Sequence, residues 1–304
     1  MERADKVFRF TVKLVIFTLM ILVCDHIFAY YVKKGLDKHY GLDKTAGIVS
    51  IGHSHSMNGI DGEALERGLN VPVAKYNLSG ANTFDRLAMI KHYFSEHPNS
   101  VRAVLYDVDD HTFTSQGLGS NSYRQFYPFM DNPHVYDYVK NNAGSWEEYT
   151  SRRLLKLLRY ETEAMIIGLR VMFNDNPLNN RRGKVDVAAL KRSIDNGKYA
   201  KIQIDQKNVE AFEETIRYIR SQNAKIILVY IPVIDIFNDM DRNGNERITD
   251  MFKRYADKDR GVLFLNYNER YEHMHELFFD PVHLNVDGRS LVTKDLIKDL
   301  QDKL

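Results

Sequence analysis

This chain of 304 residues has one cysteine, one tryptophan and almost no net charge. The single cysteine, Cys24, excludes an intrachain disulfide, so cysteine usage indicates no compartment. Basic and acidic residues nearly cancel, at 42 against 41, which argues against nucleic-acid binding through a globally basic surface. No repeat or low-complexity segment is present. With 44% hydrophobic and 27% charged residues, the chain has the composition of a folded globular protein.

One long apolar run lies near the N-terminus. It extends from Leu14 to Val32, and at ~1.5 Å per residue it nearly spans a ~30 Å hydrocarbon core. Four cations precede it: Arg3, Lys6, Arg9 and Lys13. By the positive-inside rule, they predict a single-pass protein with its N-terminus in the cytoplasm and the rest of the chain outside. Residues 1–35 are therefore predicted to be a cytoplasmic tip and a transmembrane anchor.

Alternatives stay open for this segment. A cleaved signal peptide would need small residues at the cleavage positions, and around Phe28-Ala29-Tyr30 only Ala29 is small. A buried core helix is the other alternative, although nothing in the basic flank resembles a helix cap. Asp25 interrupts the run and is unfavourable in lipid unless it reaches an interface or a partner helix. A partner membrane protein is therefore one hypothesis.

Downstream of the run, short apolar strands alternate with amphipathic helices. The predicted strands are 46–52, 71–78, 101–108, 225–231 and 261–266, and the predicted helices are 62–68, 82–96, 206–223, 247–257 and 287–304. Strands of this kind separated by helices are typical of a parallel sheet covered on both faces. The predicted fold class is α/β, a doubly wound three-layer parallel sheet over residues 45–304.

Residues 112–205 are too many for a simple crossover between two strands, and they predict an inserted aromatic and basic helical region. From Arg152 to Lys201 there are twelve Lys or Arg residues against five Asp or Glu. Such a surface suits an anionic polymer or lipid headgroups. A solvated helix pair with tyrosines as packing groups is the simpler alternative. Tyr123 and Arg124, near its start, are candidates for supporting the site or binding substrate.

Polar side chains gather where the predicted strands end, the edge at which parallel α/β sheets hold their ligands. They are Gly52-His53-Ser54-His55 after the first strand, Gly80 and Asn82 after the second, Asp109-Asp110-His111 after the third, and Asp280-Pro-Val-His283 before the last helix. A serine at a tight turn projects its hydroxyl into the cleft, and the N–H groups of that turn can stabilise an oxyanion. Ser54 is the predicted nucleophile, with His283 as its base and Asp280 orienting that base.

These residues resemble the motifs of the SGNH/GDSL hydrolase superfamily. Gly52-His53-Ser54 is similar to the block that carries the nucleophile, Gly80 falls where the second block has its oxyanion glycine, and Asp280-Pro-Val-His283 is similar to the last block. The resemblance implies an SGNH-like fold and a triad of Ser54, His283 and Asp280. It also implies an oxyanion hole made by the N–H groups of Ser54 and Gly80, with no cofactor.

The chain departs from these motifs at two places. His53 stands where the first block has Asp, and residues 106–112 contain no Asn to match the third block. Asp109 and Asp110 are not expected to donate to an oxyanion, since a carboxylate would repel it. They are instead expected to orient substrate, to bind His53 or His55, or to serve structurally. Asn82 and His111 complete the set of predicted supporting residues.

A membrane-anchored chain of this kind is similar to the DltD-like and polysaccharide O-acetyltransferase-like branch of the superfamily. That resemblance implies transfer of an acyl ester, foremost acetyl, to an envelope glycan or glycolipid, or its removal. It also implies a membrane-bound O-acyltransferase as a possible partner, and an extracytoplasmic catalytic domain.

Two other functions stay open. His53 and His55, with the carboxylates and His111 after the third strand, have the residue types of a His/carboxylate metal centre, which would make the chain a metal-dependent hydrolase. A catalytically degenerate glycan-binding accessory protein is the other alternative. Since Cys24 lies in the apolar run, the predicted catalytic domain has no thiol and a cysteine nucleophile is excluded.

Overall fold

The computed structural model describes residues 2–115, 121–173, 181–195 and 201–303. The chain divides into two compact units: a helical unit, Met1–His39 with Tyr123–Pro177, and a sheet unit, Tyr40–Ser122 with Leu178–Leu304. The predicted insertion, 112–205, contributes residues to both units. Its segments 116–120, 174–180 and 196–200 lie outside the described residues, as does Leu304 at the end of the predicted last helix.

Seven strands and thirteen α-helices lie in the described residues. The strands are β1 Ile48–Gly52, β2 Val73–Asn77, β3 Ala103–Val108, β4 Lys225–Tyr230, β5 Val262–Asn266, β6 Phe278–Asp280 and β7 His283–Leu284. The helices are α1 Glu2–Tyr40, α2 Ser54–Gly59, α3 Gly62–Leu69, α4 Thr83–Glu96, α5 Pro133–Asn142, α6 Trp146–Leu154, α7 Thr162–Phe173, α8 Val187–Asp195, α9 Gln206–Ser221, α10 Asp235–Asn238, α11 Arg242–Lys258, α12 Asn268–Tyr271 and α13 Val286–Leu300. Short 3₁₀ segments include Ser122–Phe129 and Lys156–Arg159.

The sheet unit is built on five parallel strands in the order β2-β1-β3-β4-β5. All five were predicted as short apolar runs, and β1 and β3 are buried along their whole length, as expected for strands covered on both faces. The order reverses direction at β1, so the carboxyl ends of β1 and β3 flank the switch point at which such sheets bind ligands. β6 and β7 form a separate antiparallel ribbon.

Helices cover both faces of the sheet. Leu105 and Val229 face a core that includes Leu65 of α3 and Leu296 of α13. The neighbouring Tyr106 points to the other face, where its ring lies 5.4 Å from that of Phe212 in α9. The predicted doubly wound three-layer α/β fold class is thereby confirmed.

In the helical unit, α1 is long and apolar enough to span a membrane, with a mean hydropathy of 2.2 over an unburied 18-residue window. Asp25 is buried and accepts hydrogen bonds from the backbone N–H groups of Lys156 (2.8 Å) and Leu157 (3.0 Å). The acid that interrupts the apolar run therefore has its partners within the chain. Farther along α1, a Cβ atom on Gly35 would lie 1.8 Å from the carbonyl oxygen of Gly168, so glycine lets α1 and α7 touch at their backbones.

Candidate functional site

Ser54 is the first residue of α2, and only His53 separates it from the end of β1. The turn is tight because a Cβ atom on Gly52 would lie 2.3 Å from both the Cβ of Asp107 and the Oγ of Ser56, so no larger residue fits there. Oδ2 of Asp107 accepts the N–H of Ser56 at 3.1 Å, which fixes the first turn of α2 against the end of β3. The serine hydroxyl is held at the carboxyl edge of the sheet.

The structure brings Ser54, His283 and Asp280 into one chain of hydrogen bonds. Nε2 of His283 lies 2.9 Å from Oγ of Ser54, and Nδ1 lies 2.8 and 2.9 Å from the two carboxylate oxygens of Asp280. Since ionised Asp280 only accepts, Nδ1 carries the proton and Nε2 is free to accept the serine proton. This tautomer is the one that a histidine base requires.

The loop between β6 and β7 presets the carboxylate. Oδ1 of Asp280 accepts the backbone N–H groups of Val282 (3.1 Å) and His283 (2.9 Å). Burial acts to raise the pKa of Asp280, but the hydrogen bond and charge of His283 and these N–H groups outweigh it and hold that pKa below its usual value. Asp280 therefore stays ionised at neutral pH.

Arg181 is a member of this site that the sequence did not reveal. Its Nη1 lies 3.3 Å from Oδ2 of Asp280 and 3.5 Å from Nδ1 of His283, and its guanidinium lies over the ring of Phe279. It was one of many basic residues in the predicted insertion, and no local pattern distinguished it from its neighbours. Its contact with Asp280 supplies a positive charge beside the carboxylate that orients the base.

Gly80 lies in the turn between β2 and α4, where a φ of +67° favours glycine. The N–H of Leu78 donates to the carbonyl oxygen of Gly52 at 3.1 Å, which ties this turn to the end of β1. The N–H of Ser54 belongs to the first turn of α2 and has no acceptor within the helix. The two predicted oxyanion donors, Ser54 and Gly80, thus lie in adjoining turns.

His53 and Asp109 form a second His–carboxylate pair. Nε2 of His53 lies 2.6 Å from Oδ2 of Asp109, while Nδ1 accepts the N–H of His55 at 3.1 Å. Oδ1 of Asp109 accepts the N–H of His111 and the hydroxyl of Thr112. Burial acts to raise the pKa of Asp109, but its electrostatic interaction and hydrogen bond with His53 hold it well below its usual value. Asp109 is therefore an ionised acceptor.

His55 lies between this pair and the triad. Its ring centroid is 4.5 Å from that of His53 and 5.7 Å from that of His283. Nδ1 lies 3.3 Å from Oδ2 of Asp109 without the alignment of a hydrogen bond. Burial, above all, holds the pKa of His55 well below its usual value. A neutral imidazole thus lies beside His283.

The contacts of His53 bear on the alternative of a metal centre. His53, His55 and Asp109 each offer a ligand atom, and the three atoms lie within 4.8 Å of one another. However, the bond that Nδ1 of His53 accepts places the ring proton on Nε2, which faces Asp109. A metal ion binds a nitrogen lone pair, so a cation at Nε2 would have to displace this proton and break the bond to His55. These hydrogen bonds favour a buried imidazole bonded to the Asp109 carboxylate over a metal centre.

Arg86 of α4 is a second residue that the sequence analysis missed. It is buried, its Nη1 donates to the carbonyl oxygen of Asp107 at 2.6 Å, and it lies over the ring of Tyr106. Burial acts to lower the pKa of Arg86, but Tyr106, Asp107 and Asp109 raise it. Its fixed charge offsets the acids at the end of β3. An arginine on the inward face of a helix was the available signal.

The other predicted supporting residues of the sheet unit, Asn82, Asp110 and His111, make mainly local contacts. Asn82 caps α4, since its side chain accepts the N–H of Asp85 at 2.9 Å and Asp85 accepts the N–H of Asn82 at 2.8 Å. Burial raises the pKa of Asp110 to about 6, and its Oδ1 has no hydrogen-bond partner among the described residues. His111 donates its backbone N–H to Asp109.

Tyr123 and Arg124 belong to the helical unit. The hydroxyl of Tyr123 donates to Glu148 at 3.2 Å, the hydroxyl of Tyr127 donates to the same carboxylate, and Arg124 lies 3.7 Å from it. These side chains are thus engaged with Glu148 in the packing of the 3₁₀ segment Ser122–Phe129 against α6.

Comparisons with known proteins find structural likeness only. No family model matches the chain, and no curated protein matches it. Similar solved structures include a GDSL-like lipase from Bacteroides thetaiotaomicron, with 12% identity, 91% of this chain and 98% of that chain covered, and a TM-score of 0.40. A protein assigned as an acylhydrolase from Bacteroides fragilis has 12% identity, coverages of 84% and 86%, and a TM-score of 0.39. A Streptococcus pneumoniae protein assigned as a platelet activating factor has 11% identity, coverages of 95% and 99%, and a TM-score of 0.42. Likenesses this distant do not decide what the chain does, so its chemistry has to be inferred from its own side chains.

Proposed function

We propose that this protein is a membrane-anchored serine enzyme that moves an acyl group, foremost acetyl, between an ester and a hydroxyl acceptor through an acyl-enzyme on Ser54. The hydrogen-bonded chain of Ser54, His283 and Asp280 carries the proposal, because it gives a serine the base and the oriented tautomer that nucleophilic attack requires.

In the first half-reaction, Nε2 of His283 takes the proton of Ser54 as Oγ attacks the acyl carbonyl carbon. The N–H groups of Ser54 and Gly80 stabilise the negative oxygen of the tetrahedral intermediate, while Asp280 stabilises the imidazolium. The intermediate collapses, the bond to the leaving alkoxide breaks, and His283 returns its proton to that oxygen. The acyl group is left as an ester on Ser54.

In the second half-reaction, a hydroxyl group replaces the leaving group. His283 takes the proton of a sugar hydroxyl or of water, whose oxygen attacks the acyl carbon, and Ser54 recovers its proton when its ester bond breaks. Transfer outcompetes hydrolysis when an acceptor is held in line and water is excluded. Neutral His55, whose ring lies 5.7 Å from that of His283, is placed to contact the incoming group.

The anchor supports an acceptor in the cell envelope. Cleavage after Ala29 would remove the carbonyl oxygen that accepts the hydroxyl of Tyr160 at 3.0 Å, and with it the Asp25 carboxylate that holds Lys156 and Leu157. These contacts favour retention of α1 as a single-pass anchor, and the four cations before the apolar run favour a cytoplasmic N-terminus. An enzyme held in this way would act on a glycan or glycolipid close to the membrane, and a membrane-bound O-acyltransferase would be its acyl donor.

Labelling of the full chain in detergent tests the mechanism. A fluorophosphonate probe should label the native protein on the peptide that contains Ser54, and p-nitrophenyl acetate should leave one acetyl group there. Ser54→Ala and His283→Ala should abolish both signals, whereas Ser221→Ala, at the exposed end of α9, should retain them.

Two outcomes would overturn the proposal. Hydrolysis that survives in Ser54→Ala and disappears on chelation would point to the His53, His55 and Asp109 cluster as a metal centre. Glycan binding without hydrolysis or labelling with any acyl donor would indicate an accessory protein. Added sugar acceptors that divert the acetyl group from water would establish transfer.

A further inference from the structure

α1 has two halves with different surroundings. From Glu2 to Cys24 no residue is buried, and the first buried residue is Asp25. Beyond it, Asp25 holds the 3₁₀ turn Lys156–Arg159, Ala29 contacts Tyr160, and Gly35 contacts α7. The 18 residues from Val7 to Cys24, at ~1.5 Å each, nearly cross a ~30 Å hydrocarbon core. Arg9 and Lys13 then lie in the cytoplasmic half of the span, where their long side chains extend to the inner interface. If this bare half spans the bilayer, the outer boundary of the hydrocarbon lies near Asp25.

Three exposed leucines lie on the chain segment that Asp25 holds. Leu154 is 67% exposed, Leu155 36% and Leu158 49%, and we name these three residues the leucine tip. The N–H groups of Lys156 and Leu157, between them, are bonded to Asp25, so the leucine tip is fixed at the level where the bare half of α1 ends. Its exposed apolar side chains are therefore attached to the chain at the outer end of the membrane span.

The rest of this segment leads away from that level. Tyr160 lies against Ala29, and Gly168 lies against Val32 and Gly35. At ~1.5 Å per residue, Val32 and Gly35 are about 10 to 15 Å farther along α1 than Asp25. Phe173, at the end of α7, is also exposed, but it lies a further turn and a half beyond Gly168. The leucine tip is thus the apolar part of the segment closest to the span.

We propose that the leucine tip inserts into the boundary between headgroups and acyl chains of the outer leaflet, so that the helical unit rests on the bilayer. This inference depends on the proposed membrane anchoring by α1. Lipid is the occupant because lipid must cover the adjoining bare helix. Exposed Arg153 next to the tip supplies a cation at headgroup level, and leucines with a flanking cation are typical of interfacial segments.

Single-tryptophan variants of the full chain test this placement. In a Trp146→Phe background, which removes the native tryptophan, Leu155→Trp, Ile16→Trp and Phe173→Trp are reconstituted into phosphatidylcholine and phosphatidylglycerol vesicles that contain brominated acyl chains. Residue 16 lies in the bare half of α1, and residue 173 is the distant exposed control. We expect bromolipid to cause a loss of emission at residues 16 and 155 and none at residue 173. Acrylamide in the aqueous phase should quench emission at residue 173 alone.

The outcomes separate the two proposals. If bromolipid quenches emission at residue 16 and only acrylamide quenches it at residue 155, the insertion of the leucine tip is refuted and the anchor is retained. A protein partner would then be the expected occupant of this surface. Aqueous quenching at both positions would overturn both proposals. Leu158→Trp serves as a second tip variant if Leu155→Trp does not reproduce the native thermal unfolding.

Discussion

Replacing Asp280 by asparagine is expected to invert the tautomer of His283 without disturbing the fold. Oδ1 of Asp280 accepts two backbone N–H groups, at 2.9 and 3.1 Å, while Oδ2 lies 2.8 Å from Nδ1 of His283. In the variant, the amide oxygen has to stay at the Oδ1 position, because only an acceptor suits two N–H donors. The amide NH₂ group then takes the place of Oδ2.

A donor at that position, together with Nη1 of Arg181 at 3.5 Å from Nδ1, favours an Nδ1 that accepts over one that donates to the amide oxygen at 2.9 Å, so the ring proton moves to Nε2. Nε2 then donates to Oγ of Ser54, from which it lies 2.9 Å, and can no longer take the serine proton. In a triad of this kind the wrong tautomer lowers kcat about 10⁴-fold. That factor corresponds to about 5.5 kcal/mol of transition-state stabilisation. We expect a loss of the same order here.

The assay is the kcat for p-nitrophenyl acetate, measured on the full chain in detergent at pH 7. Asp257→Asn, at an exposed position of α11, is the matched control and should retain native activity. Thermal unfolding followed by circular dichroism should show both variants folded. A kcat for Asp280→Asn within tenfold of the native value, in a folded protein, would refute the assignment of His283 as a base oriented by this carboxylate.

Three further changes test other parts of the structure. Because burial raises the pKa of Asp110 to about 6, above its unfolded value, the stability that this carboxyl contributes is present below about pH 4 and is lost as the pH rises through 6. Asp110→Asn should therefore increase the free energy of unfolding more at pH 8 than at pH 4, by about 3 kcal/mol. Denaturant titrations that show the same change at both pH values would contradict this. Asp25→Leu leaves two partly buried N–H groups without their acceptor and should cost about 2 kcal/mol, with increased proteolysis near residue 156. Asp5→Leu, on the exposed start of α1, should change neither measurement. Gly168→Val would place a side chain where a Cβ already meets the carbonyl oxygen of Val32 at 2.5 Å, and should lower the Tm, while Gly144→Val, whose Cβ meets nothing closer than 3.7 Å, should not.

The strands and the edge of the sheet were predictable from local pattern. Parallel strands covered on both faces are continuous apolar runs, and these runs located β1 to β5 to within two residues at each end. Since parallel strands end at one edge, the polar residues that follow them were expected to meet, and Ser54 and His283 do so although 229 residues separate them. The short helix α2 was not predicted, because six residues carry too little periodicity to identify.

The parts that sequence could not supply depend on contacts between distant segments. Asp25 is polar in an apolar run, which marked it as unusual, but its acceptor role depends on N–H groups 131 and 132 residues away. Arg181 and Arg86 are likewise ordinary basic residues in the sequence. Their importance follows from what they contact after folding, namely Asp280 and the acids at the end of β3.

The two departures from the motifs that the chain resembles lie in contact with each other. His53 stands where the first block has aspartate, Asp109 lies in the segment that has no asparagine to match the third block, and Nε2 of His53 is 2.6 Å from Oδ2 of Asp109. A histidine at one position without a carboxylate at the other would be a buried donor without an acceptor, which is costly. The two replacements therefore depend on each other. Because Asp109 is an acceptor already bonded to His53, His111 and Thr112, it supplies no donor to an oxyanion, and the proposed chemistry has to rely on the N–H groups of Ser54 and Gly80.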